Sequence, residues 1–319
     1  MRYKILIIGC GNIGLRYAQA IEKLNINIDI FFYDKFYHNS KKLVKSLKKK
    51  QNIRTYVLKK KPINQNFHLF ILSTTADVRL KICKETLNKN KITKIIFEKV
   101  LCQSLKQLDD FIKLQRKHKF LGWISCHRSL WPDYIKLKKK IDYKMYKYKT
   151  TFEVKGYNWG LGCNSVHFIH LFDFLFEKHD YEKRSIEIID KIEWKVSKRN
   201  LFKDFNGKIM MRVDKDSKII LEDNKYNQDF KIIIRFGSNK IIIDEINNKI
   251  IFNKKIHRFK SEYLSSIYSS EIKKILKLKK SKLPTLTETY DVHKHFIKSL
   301  LPSFNKFSKS KINDVVPIT

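Results

Sequence analysis

Apolar residues recur along this chain in two rhythms, and the change falls near residue 125. Before it, short apolar runs alternate with stretches of helical spacing. Residues 5–8 are one such run, and residues 15–23 follow with helical spacing that puts Ile13, Tyr17 and Ile21 on one side. Residues 26–33 and 54–58 read as strands, with helical patterning from Ser40 between them. Residues 67–72 predict a buried strand, 77–88 a helix and 94–97 another strand. A helix over 104–117, with Ser104 as N-cap and Leu105, Leu108, Phe111 and Ile112 inward, leads to a last strand at 120–125. Strand and helix in alternation imply a parallel sheet covered by helices.

Beyond residue 125 the rhythm becomes that of hairpins. Pro132 opens a helix over 133–141, a strand follows at 146–155, and 166–176 is a strongly apolar helix. Strands are then predicted at 186–196, 208–213, 218–222, 230–236, 240–245 and 249–252. Polar turns at 214–217, 237–239 and 247–248 separate them, as in an antiparallel meander. Such a sheet has one face free to cover helices or a partner. Helices at 261–278 and 286–301, with Pro284 marking the break, complete the chain. The predicted fold is α/β: a doubly wound parallel sheet over residues 1–124, and an α+β domain with a large, mostly antiparallel open sheet over 125–319.

The chemistry concentrates where the first strand ends. Gly9, Gly11 and Gly14 form G-x-G-x-x-G between a strand and a helix. In a dinucleotide-binding (Rossmann) crevice the first glycine permits the turn and the second lets backbone N–H groups approach a pyrophosphate. The third lets helix and strand pack closely. Asn12 and Ile13 open the helix, whose N-terminus favours negative charge. Asp34 ends the second strand about 20 residues past the glycines, where a ribose-binding acid is expected. Ser73, Thr74 and Thr75 follow a strand at the edge where cofactor loops sit, and Glu98 and Lys99 end another. These residues are the predicted cofactor site, with NAD preferred over NADP because a carboxylate repels a 2′-phosphate.

Composition narrows the alternatives. With 319 residues and 43% hydrophobic content, the chain can bury a sizeable core and is not disordered. Five scattered cysteines, with no C-x-x-C pair, indicate neither a disulfide framework nor a zinc knuckle, and reduced cytosol is the simplest compartment. The apolar run after Arg2 and Lys4 is too short for a signal peptide, and no stretch reaches the ~18–20 residues that span a bilayer. The net charge of +37 would suit a nucleic-acid partner, but its lysines are spread throughout and accompanied by abundant Ile and Asn. The excess is read as compositional, with no specific nucleic-acid partner and no membrane. His167, His170 and Asp173 leave a common helix face, so no metal site is expected.

The separated motifs occur in an order that resembles the Gfo/Idh/MocA oxidoreductases. They are the glycine turn, Asp34, Ser73-Thr74-Thr75-Ala76, Glu98-Lys99, Arg128 before Trp131-Pro132, and Gly160-x-Gly162 before His167. The resemblance is nearest to members linked to bacterial surface-polysaccharide synthesis. It rests there on Cys126-His127-Arg128, the run from Asn158 to Ile169, and Val316-Pro317-Ile318-Thr319. It implies NAD(P)-dependent hydride transfer on a sugar or nucleotide sugar, and a homo-oligomer formed through the open sheet. Arg128, Trp159, Asn164, His167 and His170 are the implied substrate contacts, with Lys99 and His167 catalytic. In that scheme Lys99 holds the reacting oxygen while His167 removes its proton.

Three departures keep a rival open. The family's Glu-Lys-Pro reads Glu98-Lys99-Val100, and without proline a trans bond is expected, since cis costs about 2.5–4 kcal/mol. Its Asp-x-x-x-His, with a second acid three residues on, reads Cys163 to His167 with His170 at the second acid position. An alternative register makes His170 the histidine and Asp173 the second acid. A non-catalytic nucleotide-binding relic of the same fold is the rival class.

Overall fold

The computed structural model describes residues 2–141, 148–177, 184–189, 192–197, 199–226, 229–260, 263–309 and 313–319. The chain divides into two compact units, one of Met1–Cys102, Lys106–His127 and Glu262–Thr287, the other of Gln103–Leu105, Arg128–Ser261 and Glu288–Thr319. The sequence pattern suggested one boundary, after residue 124; the chain instead crosses between units repeatedly.

In the first unit, β1 (Tyr3–Ile8) leads to α1 (Asn12–Glu22), β2 (Ile28–Tyr33), α2 (Tyr37–Lys45) and β3 (Ile53–Val57). A short β4 (Asn66–Phe67) precedes β5 (Leu69–Leu72), α3 (Ala76–Lys89), a short β6 (Lys91–Ile92) and β7 (Lys94–Phe97). Then come α4 (Leu105–His118) and β8 (Leu121–Ile124). The main sheet runs β3-β2-β1-β5-β7-β8, every pair parallel. Its order reverses between β1 and β5, the switch point at which open α/β sheets bind ligands. Ile5, Leu6, Ile7, Leu69, Phe70, Ile71 and Leu72 are all 0% exposed, because helices cover both faces of a parallel sheet.

The second unit begins with a 3₁₀ turn, His127–Leu130, then α5 (Pro132–Lys140), β9 (Thr150–Tyr157) and α6 (Leu161–Phe176). The predicted strand at 146–155 has its first two residues outside the described ones. The stretch 186–196 is two strands, β10 (Ser185–Ile188) and β11 (Glu193–Val196), with 190 and 191 not described. β12 (Lys203–Arg212), β13 (Lys218–Asn224), β14 (Lys231–Phe236), β15 (Asn239–Asp244), β16 (Lys249–Phe252) and β17 (Lys255–Arg258) follow. The sheet order is β10-β12-β13-β9-β14-β15-β16-β17, with β11 also on β12. All its pairs are antiparallel except β9 with β13, so the meander is split by a parallel pair at its centre. Local alternation fixes which face a residue lines, but not which neighbour its strand takes, and so the split is not visible in the pattern.

After β17 the chain returns to the first unit as α7 (Leu264–Leu278), packed on α1. Residues 261 and 262, the predicted start of this helix, lie outside the described ones. Ile124 N–H donates to Pro284 O at 2.8 Å and Leu286 N–H to Gly122 O at 2.9 Å, so this segment covers the free edge of β8. The last helix, α8 (Tyr290–Ser308), belongs to the second unit and runs seven residues past its predicted end at 301, through Pro302. Val316 and Ile318 beyond it are 0% exposed, held by Gln103 and Lys203.

Candidate functional site

The glycine turn has the geometry its spacing implies. Gly9 has φ +97°, and a Cβ there would lie 2.7 Å from the Ser73 carbonyl carbon. A Cβ on Gly14 would lie 2.1 Å from Gly9 O, so α1 touches the turn with no room for a side chain. At Gly11, the N-cap of α1, a Cβ would meet nothing within 4 Å. Open space lies in front of the helix start, whose first turn carries no acid. A phosphate group fits this cradle.

Asp34 comes to the rim of the same turn. Its Oδ2 accepts from Cys10 N–H at 2.7 Å, and its Oδ1 from Phe36 N–H at 2.9 Å and Asn39 Nδ2 at 3.2 Å. Three donors hold one carboxylate beside the glycines, where ribose hydroxyls can reach it. Cys10 is not a nucleophile: burial, partly offset by a hydrogen bond with Ser40, pushes its thiol up to about 12. Ser73 Oγ donates to Gly9 O at 2.7 Å and ties the next strand's loop to the turn. Thr75 is the N-cap residue of α3.

Sequence reasoning missed the residue that joins the remaining loops. Arg79 on α3 is 1% exposed and donates to the carbonyls of Thr74, Val100 and, at 3.1 Å, Leu101. One guanidinium thus holds both the Ser-Thr-Thr loop and the turn after Lys99. The available signal was an arginine on the buried helix face shared by Ala76, Cys83 and Leu87. The Lys99–Val100 bond is cis, which corrects the expectation of a trans bond. That expectation weighed local sequence alone, whereas the carbonyls of this turn are anchored by Arg79 from another element.

Glu98 is held from beneath. Tyr17 on α1 donates to its Oε1 at 2.8 Å, Tyr17 packs on Tyr268 of α7 at 4.6 Å between ring centres, and Tyr268 bonds Ser125. Burial, then the nearby Glu98 charge, raises both phenols, so they remain protonated and Tyr17 stays a donor. Lys99, next in the chain, is half-buried at the C-terminal edge of the sheet.

In the second unit the predicted substrate residues separate into two groups. Arg128 forms a bidentate pair with Glu245 at 3.0 and 2.9 Å, lies 4.1 Å from the Phe168 ring centre, and is joined by Tyr134 on the same carboxylate. Two edges of its guanidinium, Nε and Nη2, are thus held within this unit. Trp159, Cys163 and Asn164 instead line a cavity of ≈ 360 Å³ at the N-terminus of α6. Gly160 opens that helix with φ +86°. Cys163, His167 and His170 project from one face of α6, by their spacing. His167 is 3% exposed and His170 half-buried. Asp173, the second acid of the alternative register, is locked to Arg184 at 2.7 and 3.1 Å, both side chains buried.

Two carboxylates without a sequence signal complete this end of α6. Asp204 on β12 accepts from Gly162 N–H at 2.7 Å, and Asp223 on β13 from Gly160 N–H at 2.9 Å. Burial raises the Asp223 carboxyl above its usual range, with the Gly160 N–H and the Lys195 charge opposing.

No protein-family model and no curated protein matches the sequence. Solved structures do match across nearly the whole chain. An Agrobacterium radiobacter oxidoreductase solved with NAD+, L-tartaric acid and magnesium superposes with a TM-score of 0.71 at 10% identity, over 96% of this chain and 97% of its own. UDP-N-acetylglucosamine 3-dehydrogenase GnnA from Acidithiobacillus ferrooxidans gives 0.66 at 11% identity, over 94% and 97%. Biliverdin reductase from a Synechocystis species, in complex with biliverdin and NADP+, gives 0.66 at 10% identity, over 93% and 97%. The fold is that of these oxidoreductases. Their substrates differ widely, so the fold does not name the substrate.

Proposed function

We propose that this chain is an NAD-dependent oxidoreductase of the Gfo/Idh/MocA type that acts on a sugar or nucleotide sugar. The observation that carries the reading is the glycine cradle: open space at Gly11, no acid in the first turn of α1, and Asp34 fixed at the rim. The similarity to cofactor-bound oxidoreductases supports it, and GnnA and the surface-polysaccharide motifs support a sugar substrate. NADP remains the second cofactor, since Lys35 and Lys41 near Asp34 soften its repulsion.

Bound nicotinamide gives or takes the hydride. The backbone at Gly9–Gly14 holds the pyrophosphate, and Asp34 the adenosine ribose. Ser73, Thr74, Thr75 and Glu98 shape the sheet edge, and Lys99 polarises the reacting oxygen. His167 is assigned the proton, as base in oxidation and acid in reduction, a role typically worth ~10²–10⁴ in rate. The row Ile233, Ile242, Ile251 and Ile256 crosses the sheet in register on the face opposite Ile232, Ile234, Ile241 and Ile243. It supports a homo-oligomer. The scattered cysteines, with no paired spacing, and the chemistry support a cytoplasmic location.

The test is NADH titration followed by single-turnover hydride transfer over a sugar panel. His167→Ala is expected to slow transfer by ~10²–10⁴ with NADH affinity nearly unchanged, while Lys99→Ala lowers both. Loss of transfer in His170→Ala but not in His167→Ala overturns the register. A nucleotide-binding relic is the second reading, favoured by Cys163 at the acid position and by Arg128 spent on Glu245. NADH binding without turnover of any sugar supports it.

A further inference from the structure

The cavity at the start of α6 holds an opposite-charge pair that does not close. Lys195 on β11 and Asp204 on β12 are direct cross-strand partners. Lys195 nevertheless turns its ammonium to two neutral acceptors, Asn158 Oδ1 at 2.9 Å and Asn206 Oδ1. Asp204 is 7% exposed, and its Oδ1 takes the N–H groups of Gly162 and Phe205. Its Oδ2 takes no hydrogen bond from the described residues. That oxygen lies 3.0 Å from where a Gly160 Cβ would stand, and both residues line the cavity. An oxygen that faces the cavity with no protein donor is open to a ligand hydroxyl, which would take the place of water there.

Three features of the walls limit what that ligand is. The N–H groups of Gly160 and Gly162 already face Asp223 and Asp204, so the helix start does not call for an anion. Trp159, its indole N–H fixed to Glu222 O at 2.8 Å, offers a flat apolar wall. Lys195, hydrogen-bonded to two neutral amides with the Asp223 carboxyl nearby, and Arg199 line the same cavity from the side of β11. A volume of ≈ 360 Å³ suits one substituted ring.

The geometry points to a subsite for a hydroxylated ring that carries a negative group, with Asp204 accepting from ring hydroxyls and Lys195 facing the negative group. Asp204 is then a specificity residue that no motif in the chain marks. The inference rests on the sugar reading above and narrows it to acidic or phosphorylated sugars. Gly160 is required beyond its φ, because any side chain there would press on Asp204 Oδ2.

The experiment is calorimetric titration of the full chain with glucose, glucuronate and glucose 1-phosphate, beside a separate NADH titration. Wild type is expected to bind both charged sugars about tenfold or more tighter than glucose. Asp204→Asn, which keeps an oxygen for Gly162 N–H, should weaken all three sugars about tenfold, as for one charge-assisted hydrogen bond. Lys195→Ala should remove the advantage of the charged sugars and leave glucose alone. A bias between glucuronate and glucose 1-phosphate tells a carboxylate from a phosphoryl group, and either supports the subsite. Equal binding of all three by wild type, no sugar binding, or an indifferent Asp204→Asn overturns it. NADH affinity is the separate readout: its loss in wild type sinks the oxidoreductase reading, whereas NADH binding with no sugar binding sinks only this subsite.

Discussion

Two helices in this protein start after glycine-marked turns, and they treat their first N–H groups in opposite ways. At α1 the turn at Gly9–Gly11 leaves open space, no acid occupies the first turn, and among the turn's N–H groups Asp34 takes that of Cys10, outside the helix. At α6 the protein fills the position itself: Asp223 takes Gly160 N–H and Asp204 takes Gly162 N–H. Both ends carry the same partial positive charge. The first is left for an anion from outside, and the second is already neutralised from within. A glycine pair before a helix therefore does not by itself announce a phosphate site; what stands opposite its N–H groups decides.

The comparison breaks most directly at the glycines of the first turn. Gly14→Ala places a Cβ 2.1 Å from Gly9 O. It should destabilise the first unit by at least ~3 kcal/mol, as severe overpacking does, and abolish NADH binding. Gly11→Ala meets nothing within 4 Å, so stability should stay within ~0.5 kcal/mol while NADH affinity falls tenfold or more. Denaturant melts and fluorescence titration separate the two. Equal loss of stability in both would show that Gly11 does not face open space.

Asp34→Ala comes next. It removes the carboxylate that would meet the ribose and leaves Cys10 N–H without its partner at 2.7 Å. The preference for NADH over NADPH should fall about tenfold, on the scale of one charge-assisted hydrogen bond. A preference for NADPH in wild type that survives the substitution would remove Asp34 from the cofactor site.

The smallest effect is expected at α6. Burial raises the Asp223 carboxyl in the folded state above its value of 3.8 in the free group. Its stabilising contribution is therefore present below that value and lost as pH rises through the folded pKa. Asp223→Asn removes that loss. The melting temperature of the variant relative to wild type should rise from acid to neutral pH, and a difference that falls instead would mean that Lys195 and Gly160 N–H outweigh burial.

The first unit was largely legible because its signals are local. Each strand of its main sheet was expected from the local pattern, and Gly9, Gly14 and Asp34 come together at the turn. Arg79 was not singled out, although its position on a buried helix face was visible. The second unit was legible only as helices and strands. Arg128 pairs with Glu245, 117 residues away, and Asp173 with Arg184, and neither partner could be read from the sequence. A charged side chain shows in sequence, but its partner does not.

The sequence by itself determined the order of elements, the faces they bury and the glycine turn, because these follow from periodicity and from the steric freedom of single residues. Tertiary structure decided which carboxylates face which N–H groups, that β9 pairs in parallel with β13, that α7 returns to pack on α1, and that Lys195 turns to Asn158 and Asn206 and not to Asp204. Those outcomes depend on contacts between residues far apart in the chain. Such a contact is set by the competition among all the partners the fold brings within reach, and no local pattern encodes that competition.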